Sequence, residues 1–190
     1  THQGRGAEHL ISQVMIKPGD HIPGNMYFTT TREHQEMAGG TFVDLIVDEA
    51  HDPESRYPWK GDIDPRKLEA FIADKGAQSI AYICLETNVN MAGGQPVSMA
   101  NSRRISAIAR YHGIPVFFDA TRIAENAFFI QRQEPGYQDR SIVEILRELC
   151  SYGDGCTVSA KKDLLVNIGG LLCLNDEALY EKVAALGGVY

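Results

Sequence analysis

SMANSRRISAIARYHGIPVFFDATR, residues 98–122, is the stretch whose reading decides the fold. Ser98 suits a helix N-cap, because its short side chain accepts a hydrogen bond from the free N–H groups of a first turn. Ile105, Ile108, Ala109 and His112 then fall on one side of a helix. Gly113 ends that helix, and Ile114-Pro115-Val116-Phe117-Phe118 follows as an apolar run of strand length. The run stops on Asp119, and Ala120-Thr121-Arg122 leads into the next helical pattern. A helix followed by a strand apolar on both faces is the unit of a sheet covered by helices.

The same alternation extends outward in both directions. Upstream, Glu8 to Ile16 reads as a helix opened by a glycine loop. Asp20 to Phe28 carries a short strand interrupted by Pro23-Gly24, and Thr30 to Met37 is a polar helix ended by Gly39-Gly40. Thr41 to Val47 is rich in β-branched residues and reads as a strand. Asp52 to Asp62 is a loop. Asp64 then caps a helix with Pro65 at its first position and Leu68, Phe71 and Ile72 on one face. Ser79 to Leu85 reads as a buried strand. Downstream, Thr121 to Gln133 and Ser141 to Cys150 are helical, the second with Ile142, Ile145, Leu146 and Leu149 at helical spacing. Short strands at 155–158 and 170–174 bracket a lysine-bearing loop, and Asn175 or Asp176 caps a final helix. The expectation is α/β layers around a largely parallel sheet.

With 190 residues and 44% apolar content, the chain can bury one sizeable core. A net charge of −7 argues against a nucleic-acid partner, which needs basic patches. Small organic acids stay open, since local arginines bind them on an acidic protein. The four cysteines, Cys84, Cys150, Cys156 and Cys173, show no CxxC spacing and are expected as core thiols in a reducing, cytoplasmic setting. No apolar stretch reaches membrane-spanning length. The chain starts at Thr1 in what already reads as a working loop and ends at Val189-Tyr190 just past a helical pattern. A piece of a longer enzyme is expected.

Three elements carry chemistry when taken in order. Gln3-Gly4-Arg5-Gly6 leads straight into a helix, where backbone N–H groups bind anions and glycines allow close approach; a plain tight turn is the competing reading. It is not a dinucleotide fingerprint, since position 9 is His9 and no strand precedes the loop. Asp119 ends an apolar strand, where a carboxylate is costly unless paired; an N-cap role is the alternative. Lys161-Lys162 sits between an apolar strand and Leu164-Leu165-Val166, so one of the two lysines is drawn inward. From spacing alone either lysine qualifies. A phosphate cradle, an acid at a strand end and a lysine after a strand is the order that holds pyridoxal phosphate, with the acid on the pyridine nitrogen and the lysine on the aldehyde.

Two further positions fit that scheme. Asn90, in the loop 88–96 after a buried strand, can hydrogen-bond a ring oxygen, and Phe28 can stack on a flat ring. Turn chemistry and core packing are their plainer readings. His51 with Asp48, Glu49 and Asp52 has poor spacing for a metal and reads as an acidic loop. No Ser-His-Asp or Cys-His set can be ordered.

THQGRGAE, GNMYFTTTREHQ, NMAGGQPVSMAN, FDATRIAENAFFI and DGCTVSAKKDLLVNIGG together resemble the aromatic amino-acid β-eliminating lyases, the family of tyrosine phenol-lyase and tryptophanase. The resemblance covers essentially the whole chain and is closer to the tyrosine-cleaving branch. Thr29 stands where the tryptophan-cleaving branch has an aspartate, and that branch's extra residues after the first motif are absent. The resemblance implies a fold type I, aspartate aminotransferase-like large domain with a mostly parallel, seven-stranded-type sheet and helices on both faces. Residues 1–190 would be its central part, without the N-terminal segment and the C-terminal small domain.

It implies that Lys162 holds the cofactor and takes the α-proton, and that Asp119 pairs with the pyridine nitrogen. Asn90 and Arg122 would bond the ring oxygen, while Gln3, Gly4, Arg5 and Ser159 would hold the phosphate. Phe28 would stack, and Thr29 would lie near the substrate's aromatic side. Asn167 would offer a backbone oxygen near a potassium site. A homotetramer and an amino-acid substrate are implied, with tyrosine first, tryptophan as the alternative, and threonine aldolase-type chemistry as a more distant one. Glu86-Thr87-Asn88 departs from the pattern, standing where the family has small apolar residues.

Overall fold

The computed structural model describes residues 1–188; Val189 and Tyr190 lie outside the described residues. Six strands form one sheet: β1 His21–Gly24, β2 Thr41–Asp44, β3 Ile83–Glu86, β4 Val116–Asp119, β5 Gly155–Ser159 and β6 Gly170–Leu174. Their order is β2-β1-β3-β4-β5-β6, parallel throughout except for the antiparallel edge strand β6. The resemblance implied seven strands; six are present among the described residues. The helices are α1 Gly4–Met15, α2 Thr29–Met37, α3 Pro65–Lys75, α4 Met99–His112, α5 Ile123–Gln133, α6 Ile142–Cys150 and α7 Glu177–Gly187.

Side chains alternate across a strand, so each central strand feeds two cores. Ile83, Leu85, Val116 and Phe118 pack with Leu68 and Ile72 of α3 and Ile105, Ile108 and Ala109 of α4. Tyr82 and Phe117 point the other way and meet Ile11 of α1, with Leu179 of α7 against that cluster. A smaller cluster joins α5 and α6 through Ala127, Ile130, Ile145 and Leu149. Each fully buried aliphatic side chain contributes about 1.5–3 kcal/mol, so the double-sided sheet is the main source of stability.

Local signals set the helix ends. Asp64 accepts from Arg66 N at 2.8 Å with Pro65 at the first position, and Ser98 accepts from Asn101 N at 3.0 Å. Ser141 and Glu144 form a capping box on α6, and of the two residues expected to cap α7 it is Asp176 that does so.

Three expectations change. Pro23 and Gly24 do not interrupt β1 but belong to it. A Cβ on Gly24 would lie 2.6 Å from Cys84 O and 2.9 Å from the Phe42 ring, so only glycine lets β1 sit between β2 and β3. The third strand begins at Ile83 rather than Ser79, because Ser79 Oγ bonds back to the carbonyls of Lys75 and Gly76 and keeps the chain turning. Of the four free cysteines, Cys84 and Cys156 are partly buried but Cys150, at the end of α6, and Cys173, on the edge strand β6, are exposed. No helix among the described residues is long and apolar enough to cross a membrane.

Candidate active site

Parallel strands bring their carboxyl ends to one edge, and ligands bind in the crevice there. Here β3 ends on Glu86, β4 on Asp119 and β5 on Ser159, with the N-terminus of α1 facing them across a cavity of about 240 Å³. Gln3, Arg5, Phe28, Asn90, Asp119, Arg122, Ser159 and Lys162 all line it. Eight of the expected residues, scattered over 160 positions, thus meet in one place.

The cradle is built by close packing. A Cβ on Gly4 would come within 2.6 Å of Ser159 Cβ and 2.9 Å of its Cα, so the first turn of α1 rests directly on the end of β5. Gln3, at the N-cap, gives no side-chain cap, and no acidic residue stands in the first turn. Apart from Gly6 N, which donates to Gln3 O at 3.0 Å, the N–H groups and partial positive charge of that turn are therefore left for an anion, with Arg5 beside them.

Asp119 is 7% exposed. Its Oδ1 accepts from Thr121 N at 3.1 Å, and Thr87 N and Oγ1 donate to its carbonyl at 3.0 and 2.9 Å. Burial raises its pKa, while bonds to Thr121 and the nearby charge of Lys162 pull it back. The competing N-cap reading fails: Arg122 occupies the N-cap position, and Asp163 Oδ2 accepts from Ala124 N at 2.7 Å and Glu125 N at 3.1 Å. Asp163 thereby pins the lysine loop to the start of α5. Thr121 Oγ1, accepting from Ser159 N at 3.0 Å, ties the end of β4 to β5.

Between the two lysines, Lys162 is the inward one. It is partly buried, its Nζ lies 5.8 Å from the centre of the Phe28 ring, and Lys161 is exposed at the rim. The charge of Lys162 acts on three buried carboxyls, Glu8, Glu86 and Asp119. Glu8 is buried, accepts from Thr30 Oγ1 at 2.7 Å, and has its pKa raised chiefly by burial. Glu86 is 8% exposed; Oε1 accepts from Asn90 N at 3.0 Å, and Oε2 is buried without a partner. Burial, then the charge of Asp119, pushes its pKa up to about 8.

Some expected residues sit elsewhere. Thr29 is exposed as the first residue of α2 and is not on the cavity wall; Thr30 is. Asn167 is exposed in the loop between β5 and β6. Arg122 lines the cavity but pairs with Glu125 at 3.2 Å. Among the described residues, no group of three or more His, Cys, Asp or Glu side chains is arranged to hold a metal. Sequence reading gave no role to Glu8, Thr121 or Asp163, and it marked Glu86 and Thr87 only as a departure from the family pattern.

The pocket fits a flat heteroaromatic phosphate. It has an anion cradle at one end, a buried carboxylate at a strand end, an aromatic face, and an amine beside that face.

Comparison with known proteins gives the family. The profile of the beta-eliminating lyase family matches residues 1–188. Tyrosine phenol-lyase of Pasteurella multocida (strain Pm70) is 60% identical over 98% of this chain and 41% of the relative. Tyrosine phenol-lyase of Symbiobacterium sp. (strain SC-1) is 62% identical over 96% and 40%. That of Fusobacterium nucleatum is 59% identical over 100% and 41%. The chain thus spans about two-fifths of the length of these curated relatives. The solved SepCysS–SepCysE N-terminal domain complex shares the fold, with a TM-score of 0.66 at 18% identity over 96% of this chain and 43% of that one. The chain belongs to the beta-eliminating lyase family.

Proposed function

We propose that this chain is the central part of the cofactor-binding large domain of a pyridoxal phosphate-dependent carbon–carbon lyase, which cleaves tyrosine to phenol, pyruvate and ammonia. The observation that carries the reading is the convergence of Lys162, Asp119, Phe28 and the α1 cradle on one cavity. Identity near 60% to tyrosine phenol-lyases supports the choice of substrate.

When bound, the cofactor supplies an electron sink for a carbanion at the substrate α-carbon. Gln3, Arg5, Ser159 and the first N–H groups of α1 hold its phosphate. Asp119 keeps the ring nitrogen protonated, since a buried carboxylate gains most from a charged partner. Phe28 would pack against its ring, and Asn90 and Arg122 would bond its ring oxygen. Lys162 Nζ would hold its aldehyde and, as a free amine, would take the proton from the substrate α-carbon. The acid that protonates the aromatic carbon and the arginine that binds the substrate carboxylate belong to parts of the protein beyond this chain. A homotetramer, a potassium ion at the Asn167 carbonyl, a substrate ring lying toward Thr29 and a cytoplasmic location complete the proposal.

The test is made on the full-length protein. With pyridoxal phosphate present, tyrosine and tryptophan are supplied separately and phenol, indole and pyruvate are assayed. Phenol with pyruvate is expected. Indole with pyruvate would make it a tryptophan-cleaving enzyme, and cofactor binding with neither product would move the substrate elsewhere. No cofactor binding would refute the reading.

A further inference from the structure

Glu86 is a buried acid that the proposed reaction does not use. It and Asp119 are the last residues of neighbouring parallel strands and stand in register, so their side chains leave the sheet on the same face. Both are less than 9% exposed and both line the cavity. The backbone under Glu86 is held firmly: Asn25 Oδ1 accepts from Glu86 N, and Asn25 Nδ2 donates to Glu86 O, each at 2.8 Å. The carboxyl itself has one donor, Asn90 N on Oε1, and Oε2 has none.

Two carboxylates this close in a buried site cannot both be charged cheaply. The charged groups facing Glu86 are Asp119 from β4, Glu8 from α1 and Lys162 from the β5–β6 loop, with Arg5 and Arg122 on the same cavity wall. One lysine charge is shared among three acids. Asp119 accepts hydrogen bonds from Thr121 that stabilise its anion, whereas Glu86 accepts from a single backbone N–H; the charge of Lys162 acts on both. The proton therefore belongs on Glu86, and Oε2, which lacks any donor, is the oxygen suited to carry it.

We propose that Glu86 and Asp119 form a carboxyl dyad carrying one proton, borne by Glu86, which makes Glu86 a positioning residue that keeps Asp119 ionised toward the ring nitrogen of the cofactor. The second half rests on the pyridoxal phosphate reading; the first does not. With Glu86 neutral, Asp119 is the only negative charge of the pair and stays available to a protonated ring. If Glu86 ionises, the doubled charge favours a proton on Asp119 and changes the field on the ring and on Lys162.

The test uses the full-length protein, with and without cofactor. Infrared spectra recorded from about pH 6 to about pH 10 follow the carbonyl stretch of protonated carboxyls. Expected for the wild type, cofactor-free, is a buried carboxyl band lost with a midpoint near 8. The variants are made in an Asp62→Asn background, which removes the other buried carboxyl titrating near 7. There Glu86→Gln should remove the component with a midpoint near 8, and Asp119→Asn should lower that midpoint by at least about one pH unit, because the opposing charge is gone. A component near 8 that survives Glu86→Gln, or a midpoint unmoved by Asp119→Asn, overturns the dyad.

With cofactor bound, Glu86→Gln should shift the pH midpoint of the cofactor absorbance, and Glu86→Asp should restore it in part. An unmoved midpoint overturns the positioning role. Failure of the wild type to bind cofactor would overturn the positioning role and the reading of function it rests on, while the cofactor-free titration would still decide the dyad.

Discussion

Replacing Gly4 by alanine places a methyl group where the structure has no room. The added Cβ would sit 2.6 Å from Ser159 Cβ, 2.9 Å from its Cα and 3.1 Å from its N. Carbon atoms in contact prefer about 3.5–4.0 Å, so roughly 1 Å of separation has to be found. Two of the three opposing atoms are backbone at the end of β5, so no rotamer change relieves the contact. Alanine in a helix gains at most about 1 kcal/mol over glycine. Overpacking costs about 1–3 kcal/mol, so the clash wins.

Relief requires α1 to lift from β5, which moves the cradle N–H groups away from Ser159. The cofactor-free protein can accept that shift, but a bound phosphate needs both sides of the cradle. The loss therefore falls mainly on cofactor binding, as an affinity about 5- to 150-fold weaker. Gly6→Ala is the control, because the nearest atoms to its Cβ are side-chain atoms of His2 and Thr1 at 3.3–3.5 Å. It should bind normally. Titration of the full-length variants with pyridoxal phosphate, followed by absorbance, measures both. Equal affinity of Gly4→Ala and wild type, or equal loss in the two variants, would refute the packing argument.

Other predictions follow from single groups. Lys162→Ala should abolish the absorbance of covalently held cofactor in the full-length protein while Lys161→Ala keeps it; the reverse would move the anchor to Lys161. Asn25→Ala should destabilise the fold by at least about 3 kcal/mol in chemical denaturation, because it strands the buried N–H and C=O of Glu86 and the carbonyl of Gly61. Asp62, whose pKa burial raises from 3.8 to about 7, accepts from Ser98 N and Oγ. Its native form holds a proton that the unfolded form releases, so its contribution is present below the ordinary carboxylate range and is lost as pH rises toward 7. The shift sets an upper bound of about 4 kcal/mol across that window. Asp62→Asn should flatten the decline in stability measured over it, and an unchanged slope would show that Asp62 is ionised in the native state.

The sequence by itself determined the alternation of elements, the capped helix starts at Asp64 and Ser98, and the glycine–arginine loop, the strand-end aspartate and the lysine pair. These are short-range features. A cap needs only its own first turn, and an apolar strand is written in consecutive residues. Only the tertiary structure shows which of Lys161 and Lys162 faces inward, because that depends on Asp163 reaching α5 and on Phe28, more than a hundred positions away, standing opposite. It likewise turned Thr29 away from the cavity, set Glu86 beside Asp119 and exposed Cys173 on an edge strand. The last two follow from the register and order of strands distant in sequence. Pairing between such strands arises from packing on both faces of the sheet, which no local pattern specifies.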